Sequence, residues 1–365
     1  MKKLLSLLLA LVMVFALTAC GQQTAPAEKT ADVPTNVPAD APDEIPADAP
    51  DDVPADAPAD VPADEPVEAD PMTEPQDANT LSYTSEPVSF DDGDDSSVYG
   101  VMYYPADFDP SKEYPVVIAS HGFGVTSLFF EISGWAPALA SEGYVVYAFD
   151  FHGGAPDEGG MAGVSQSSGN WMDMSIPDEV ETLNHVVEFI KMEEFTETNQ
   201  IYLLGQSQGG CVTALTAAER EVDGKNDIAG VILLYPYLNV AGDVREKYPT
   251  WESLPTEDGA DEWLETPIGV KYLQDIYNLD IYETIAGFNG KLLVVQGMAD
   301  TTVPCDIALK AMNECYAEQS AELVLVAGTM SGHSFEMYYP EGKDMAFTAV
   351  LSTMSAWTAS SINDK

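Results

Sequence analysis

The fold is decided by residues 201–210, which read IYLLGQSQGG. The four apolar residues that open this stretch are typical of a buried strand, and a helix is predicted to begin at Gln208. Between the strand and the helix, Gly205 and Gly209 stand two residues before and two residues after Ser207. A turn this tight leaves almost no room for side chains at those two positions, and it presents the serine hydroxyl at the edge of a sheet. The pattern therefore predicts that Ser207 is a nucleophile.

Outward from this stretch, apolar runs alternate with segments that favour helix. Strands are predicted at 88–90, 98–104, 116–119, 145–149, 201–204, 231–234, 292–295 and 323–326. Helices are predicted at 132–141, at 177–194 and from Gln208 onward. Continuous apolar and β-branched strands suit a sheet that is covered on both faces. The alternation of strands and helices then predicts an α/β fold with a mostly parallel central sheet flanked by helices.

The connection between the predicted strands that end at Leu234 and begin at Leu292 is more than fifty residues long. A crossover helix with short loops does not need that length. The segment is rich in aromatic residues, namely Tyr235, Tyr237, Tyr248, Trp251, Trp263, Tyr272, Tyr277 and Tyr282. We therefore predict an inserted cap over the nucleophile, at about residues 236–288.

A serine nucleophile needs a base within hydrogen-bond reach. The chain has four histidines, which are His121, His152, His185 and His333. In folds that carry the nucleophile on a strand–turn–helix, the chain order is serine, acid, histidine, and only His333 follows Ser207. The predicted acid is Asp300, which lies just beyond the strand at 292–295. The acid could instead follow the preceding strand, at 231–234, but the first carboxylate after that strand is Asp243.

Two backbone N–H groups are expected to meet the negative oxygen of a tetrahedral intermediate. One is the amide of Gln208, the residue after the predicted nucleophile. The other is the amide of Phe123, in the loop Ser120-His121-Gly122-Phe123-Gly124 that follows the strand at 116–119. The small Gly122 and Gly124 would let this loop approach a substrate. The alternative is that the loop is a glycine turn without a catalytic role.

Several motifs then occur in one order: His121-Gly122-Phe123, Phe149-Asp150-Phe151, residues 205–210, Asp300 with Val303-Pro304, and Gly332-His333. Over roughly residues 99–357 the chain resembles bacterial cinnamoyl (feruloyl) esterases and their dienelactone-hydrolase and acyl-peptidase-like relatives. The resemblance implies an α/β-hydrolase fold and a triad of Ser207, His333 and Asp300. The chain departs from that family at Gln206, where a histidine usually precedes the serine. It departs again at His152-Gly153-Gly154, where the family has Gly-His-Gly.

The N-terminus is typical of an export signal. Lys2 and Lys3 precede an apolar run at residues 4–17, and this run is shorter than a membrane-spanning helix of ~20 residues. The sequence Leu17-Thr18-Ala19-Cys20 resembles a bacterial lipobox. Residues 1–19 are therefore predicted to be a lipoprotein signal peptide, and Cys20 is predicted to carry a membrane lipid. The alternative is an ordinary cleaved signal peptide.

Residues 20–80 differ in composition from the rest of the chain. Proline recurs about every four residues between Pro34 and Pro66, with alanine and aspartate between the prolines. Proline blocks helix and like charges repel, so this segment is predicted to be a disordered tether. The ordered domain is predicted at residues 81–365. We expect an extracytoplasmic, membrane-anchored bacterial lipoprotein.

Charge and motif content exclude several function classes. The net charge of −47 is opposite to the basic surface that nucleic acid binding requires. The sequence lacks His-Glu-x-x-His, Cys-x-x-Cys, a phosphate-binding glycine loop with lysine and a dinucleotide fingerprint, so we expect no metal and no cofactor. The predicted function is a serine hydrolase that cleaves small carboxylic esters with aromatic or short-chain acyl groups. Two alternatives stay open: an acyl-peptidase-like amide hydrolase and a catalytically silent, ligand-binding lipoprotein.

Overall fold

The computed structural model describes residues 81–93, 96–156, 162–317, 320–328, 331–335 and 340–363. The predicted signal peptide at 1–19, the lipidation site Cys20 and the tether at 20–80 lie outside these residues. None of the described helices is both long and apolar enough to cross a membrane.

The described residues form an eight-stranded sheet with the strand order β1-β2-β4-β3-β5-β6-β9-β10. The strands are β1 (Tyr83–Gly93), β2 (Ser96–Pro105), β3 (Tyr114–Ser120), β4 (Val145–Phe149), β5 (Thr196–Gln206), β6 (Gly230–Leu234), β9 (Leu292–Gly297) and β10 (Ala321–Val326), and a separate hairpin contains β7 (Asp261–Trp263) and β8 (Thr266–Ile268). The pairs β1/β2 and β2/β4 are antiparallel, and the other pairs in the large sheet are parallel. The predicted fold class is confirmed.

Helices cover both faces of this sheet. They are α1 (Leu128–Ile132), α2 (Trp135–Ser141), α3 (Ile176–Met192), α4 (Gln208–Val222), α5 (Val240–Lys247), α6 (Val270–Tyr277), α7 (Ile281–Ile285), α8 (Cys305–Glu314) and α9 (Pro340–Asn363). Alternate residues of β3 belong to different cores: Val116 and Ile118 pack on one face, and Val117 packs on the other. The apolar runs therefore serve two cores at once, which is why the central strands show no polar alternation.

Several element boundaries differ from the sequence prediction. The helix predicted at 132–141 begins later, as α2 at Trp135, because Gly134 adopts a left-handed conformation (φ 78°) that separates it from α1, which ends at Ile132. That backbone conformation is easy for glycine and ends a right-handed helix. The strand predicted at 201–204 begins earlier, at Thr196, which pairs with Tyr114 of β3. The register between the two strands then shifts before Val116 pairs with Ile201.

The segment between β6 and β9 contains α5, the β7/β8 hairpin, α6 and α7. Helix α6 is one of its anchors to the body, since Tyr272, Leu273 and Ile276 are buried in the core. The same helix contacts α3. The long connection is therefore a folded insertion with its own hairpin, which positions aromatic residues next to the end of β5.

Candidate active site

Ser207 lies on the turn between β5 and α4 in a strained backbone conformation, with φ 52° and ψ −118°. Its N–H donates to the carbonyl of Leu234 at 3.0 Å, which ties the turn to the neighbouring strand β6. A Cβ on Gly205 would lie 2.3 Å from the carbonyl oxygen of Gly209. A Cβ on Gly209 would lie 2.1 Å from the carbonyl oxygen of His121. Both glycines are thus required by close backbone approach.

The structure brings the three predicted triad residues into one hydrogen-bonded chain. His333 Nε2 lies 3.2 Å from Ser207 Oγ, and His333 Nδ1 lies 2.8 Å from Asp300 Oδ2. When Nδ1–H donates to the carboxylate, Nε2 is left with a lone pair that accepts the serine hydroxyl proton. The order of contacts is the one that base activation of a serine requires.

The Asp300 carboxylate is fixed by a local loop as well as by the imidazole. Its Oδ1 accepts hydrogen bonds from the N–H groups of Thr302 at 2.9 Å and Val303 at 2.8 Å. The Asp300 side chain is fully buried, whereas that of His333 remains 24% exposed. The ring of Tyr235 packs edge-on against His333, with 4.7 Å between the centroids. The imidazole is therefore held from two sides and open on the third.

The loop that carries Phe123 lies against the nucleophile. A Cβ on Gly122 would lie 3.3 Å from Ser207 Cβ, so the loop backbone runs beside the serine side chain. Gln208 is the first residue of α4, where backbone N–H groups have no acceptor within the helix. The structure thus places both predicted oxyanion donors on segments that border Ser207.

His121 supports this loop, a role that the sequence did not predict. Its Nδ1–H donates to the carbonyl of Gly122 at 2.8 Å, and its Nε2 accepts the N–H of Phe151 at 3.1 Å. Burial lowers the pKa of His121, which matches the neutral tautomer that these bonds need. Its only sequence signal was its position directly before Gly122, at the end of a strand.

Residues 130–362 match the prolyl oligopeptidase family. The chain belongs to the prolyl oligopeptidase family. It is a serine hydrolase, as the sequence predicted.

Solved structures share the fold of this prolyl oligopeptidase family member at low sequence identity. Est1E from Butyrivibrio proteoclasticus, solved with bound ferulic acid, is 19% identical with a TM-score of 0.59, over 73% of this chain and 97% of that one. The α/β hydrolase GrgF from Penicillium sp. is 17% identical with a TM-score of 0.59, over 76% and 99%. A putative dienelactone hydrolase from Klebsiella pneumoniae is 16% identical with a TM-score of 0.51, over 75% and 99%. The predicted resemblance to α/β hydrolases is confirmed.

In this prolyl oligopeptidase family member, aromatic residues pack around Phe123. The Phe123 ring packs against Trp171 at 5.0 Å and against Tyr272 at 5.8 Å between centroids. Trp171 Nε1–H donates to the carbonyl of Pro267 at 2.6 Å, which joins this wall to the β7/β8 hairpin. Among the eight aromatic residues predicted for the cap, Tyr272 is thus one that reaches the site.

Two further residues, neither of them predicted as a site residue from the sequence, meet at Gln208. The Gln208 side chain donates from Nε2 to Glu179 Oε2 at 2.9 Å, and its Oε1 accepts the Tyr272 hydroxyl at 2.6 Å. The pKa of Glu179 is raised to about 8, mainly because the carboxyl is buried; the bond from Gln208 lowers it and the charge of Asp178 raises it by smaller amounts. No sequence signal links these residues, because Tyr272 stands 64 positions from Gln208.

The remaining histidines lie outside the triad. His152 Nε2 is 2.7 Å from Asp92 Oδ2, and His185 Nδ1 is 3.4 Å from the same oxygen. Within the described ranges, no group of three or more histidine, cysteine or acidic side chains is arranged to hold a metal ion.

Proposed function

We propose that Ser207, His333 and Asp300 form a catalytic triad that hydrolyses carboxylic esters through an acyl-enzyme. The observation that carries this proposal is the hydrogen-bond chain from Asp300 through His333 to Ser207. In the first step His333 Nε2 takes the serine proton while Oγ attacks the ester carbonyl, and the imidazolium then protonates the leaving alcohol. In the second step His333 takes a proton from a water that attacks the acyl-enzyme, and it returns the proton to Ser207 Oγ as the carboxylic acid leaves. Asp300 stabilises the imidazolium in both steps.

We propose that the backbone N–H groups of Phe123 and Gln208 bind the oxyanion in both steps. The support is that the Phe123 loop borders Ser207 and that Gln208 opens helix α4. Donors that are already oriented before the reaction stabilise the charge of the tetrahedral intermediate without reorganisation. The positive end of the helix dipole acts in the same direction.

For the substrate, we propose a small, uncharged ester with an aromatic or short-chain acyl group. The support is the aromatic wall of Phe123, Trp171 and Tyr272, together with the ferulic acid bound by the structural neighbour Est1E. The net charge of −47 disfavours anionic esters by repulsion at long range.

A second candidate is cleavage of amide or peptide bonds, which the match to the prolyl oligopeptidase family favours. A panel of short-chain and hydroxycinnamoyl esters, measured beside peptide amides, separates the two. Ester turnover that is lost in Ser207→Ala is the expected result. Amide cleavage without ester cleavage would refute the ester proposal.

A fluorophosphonate probe tests the nucleophile directly, because it labels an activated serine whatever the natural substrate. We expect wild type to be labelled and Ser207→Ala not to be. An unlabelled wild type, or equal labelling of the variant, would contradict the triad and favour a silent ligand-binding lipoprotein.

We further propose that the enzyme is exported and anchored to a membrane through lipid on Cys20. The support is the charged and apolar N-terminus that ends in Leu17-Thr18-Ala19-Cys20. Fractionation of cells that express wild type or Cys20→Ser tests this. We expect the wild type in the membrane fraction and the variant released, and equal membrane retention would refute the anchor.

A further inference from the structure

The side chain of Gln208 is buried and hydrogen-bonded at both ends. Its Nε2 donates to Glu179 on α3, and its Oε1 accepts the hydroxyl of Tyr272 on α6. An amide that has one donor bond and one acceptor bond to different helices can adopt only one orientation. Gln208, the residue that follows the predicted nucleophile, is therefore held by one hydrogen bond to the body of the domain and by another to the insertion.

The same insertion also contacts the second predicted oxyanion residue. The ring of Tyr272 packs against Phe123, and Trp171 packs against Phe123 from another side. Trp171 is itself tied to the insertion through the carbonyl of Pro267. Tyr272 thus touches both residues whose amides are proposed to bind the oxyanion.

These contacts act on a peptide that is under strain. Ser207 has φ 52° and ψ −118°, a conformation that persists only where its surroundings hold it. The rotation of the Ser207–Gln208 peptide sets the direction in which the Gln208 N–H points. Fixing the Gln208 side chain opposes that rotation. A hydrogen bond that does not involve the reacting atoms can therefore decide whether the amide faces the oxyanion.

We propose that Glu179 and Tyr272 are positioning residues that clamp Gln208 and thereby orient its N–H toward the oxyanion. This inference rests on the proposed function, because it takes the backbone N–H of Gln208 to be a hydrogen-bond donor to the oxyanion. Neither side chain touches the reacting atoms. The Glu179 carboxyl and the Tyr272 hydroxyl act through Gln208 on the transition state, whereas the Tyr272 ring also belongs to the aromatic wall and is kept in Tyr272→Phe.

Glu179 also makes the clamp sensitive to charge. The ionisable groups that act on it or respond to it are Asp178 on its own helix, Cys211 on α4 and Tyr272 on α6. The cation Lys271, which precedes Tyr272 on α6, pairs with Asp178 and Asp275, and burial raises the pKa of Glu179 to about 8. Below that pH the carboxyl is neutral. Above it, a negative charge develops behind the donor of the oxyanion and repels the charge of the transition state.

The kinetic test compares four variants, one of them a control, with wild type on one ester substrate. Removing a whole oxyanion donor lowers kcat by about 10² to 10³, so a displaced donor is expected to lower it by about tenfold. We expect this loss, with KM within about twofold, in Tyr272→Phe and in Glu179→Leu. Glu179→Gln keeps an acceptor for Gln208 and is expected to restore most of the kcat that Glu179→Leu loses. Tyr277→Phe removes a hydroxyl from the same helix that does not bond Gln208, and it serves as the matched control.

The pH profile gives a readout that a purely structural role would not move. In wild type we expect kcat to fall as the pH rises through about 8, and in Glu179→Gln we expect this fall to be absent. Wild-type kcat in both Tyr272→Phe and Glu179→Leu would overturn the clamp. Identical pH profiles for wild type and Glu179→Gln would overturn the part assigned to Glu179.

Hydrogen exchange at the turn separates this inference from the proposed function, because it does not need turnover. We expect the peptide that contains Gln208 to exchange faster in Tyr272→Phe than in wild type or Tyr277→Phe. Unchanged exchange there refutes the clamp even in an active enzyme. Faster exchange in Tyr272→Phe, found together with a wild type that neither cleaves esters nor reacts with fluorophosphonate, supports the clamp and refutes the hydrolase mechanism.

Discussion

Replacing Glu179 by glutamine is expected to change how the free energy of unfolding depends on pH. The pKa of Glu179 is raised from the ordinary 4.5 to about 8, because its carboxyl is buried among uncharged and acidic groups. A folded-state pKa above the unfolded value means that the folded protein holds the proton more tightly. The stability from this proton is fully present below pH 4.5 and is lost as the pH rises through about 8.

The size of the effect follows from the two pKa values. The interval from 4.5 to about 8, at about 1.4 kcal/mol for each pH unit, gives about 5 kcal/mol as an upper limit. Glutamine has no proton to lose, so Glu179→Gln avoids this loss. The free energy of unfolding of the variant, relative to wild type, should therefore rise by up to about 5 kcal/mol between pH 4.5 and pH 9.

Urea unfolding followed by tryptophan fluorescence, at pH values from 4.5 to 9, measures this difference. Glu181→Gln is the matched control, because Glu181 lies on the same helix and its side chain is exposed. Its curve should run parallel to that of wild type across the alkaline range, from pH 6 to 9. A constant difference between Glu179→Gln and wild type from pH 4.5 to 9 would refute the buried, protonated carboxyl on which the reasoning depends.

Three further predictions concern the triad, the turn and a buried charge. Asp300→Asn should lower kcat by about 10⁴ with KM little changed, because the imidazole loses the tautomer that accepts from serine; unchanged esterase kinetics would contradict this. Gly209→Ala should abolish soluble expression or labelling of Ser207, since its Cβ would lie 2.1 Å from the His121 carbonyl oxygen, and a normal labelling rate would count against it. Arg220→Ala should destabilise the fold by about 3–5 kcal/mol, because Arg220 is buried and pairs with Asp227 and Glu188, and chemical denaturation showing a loss below 1 kcal/mol would disprove it.

The turn at Ser207 was predictable from sequence because a tight strand–turn–helix requires glycine at a fixed spacing. A Cβ on Gly205 would meet the carbonyl of Gly209 within the turn, whereas a Cβ on Gly209 would meet the carbonyl of His121, on a loop distant in sequence. The apolar runs likewise predicted the central strands, since a strand covered on both faces has no polar positions. Local signals failed at boundaries such as Gly134, where one left-handed residue moves the start of a predicted helix from Ile132 to Trp135.

The candidate triad was predictable because the chain has few candidates. Only His333 follows Ser207 among the four histidines, and Asp300 lies at the end of a predicted strand. Carboxyl ends of parallel strands meet at one edge of a sheet, so strand order sufficed to choose these side chains. The sequence could not supply the 3.2 Å and 2.8 Å distances that join them, because these depend on the packed sheet. The catalytic roles of the three residues stay predictions until the labelling and kinetic tests are made.

The sequence by itself determined the strand–turn–helix at Ser207, the α/β class and the order of the candidate residues. Each of these depends on backbone sterics or on a repeating pattern of apolar residues, which act over a few positions. Only the tertiary structure decided that Glu179, Tyr272 and His121 surround the predicted oxyanion donors. Glu179 and Tyr272 lie 29 and 64 positions from Gln208, and His121 lies 30 positions from Phe151. No local pattern encodes contacts over such separations. A buried polar group cannot bond to water, so it needs a partner in the protein. The packing of the helices and strands determines which partner lies within reach.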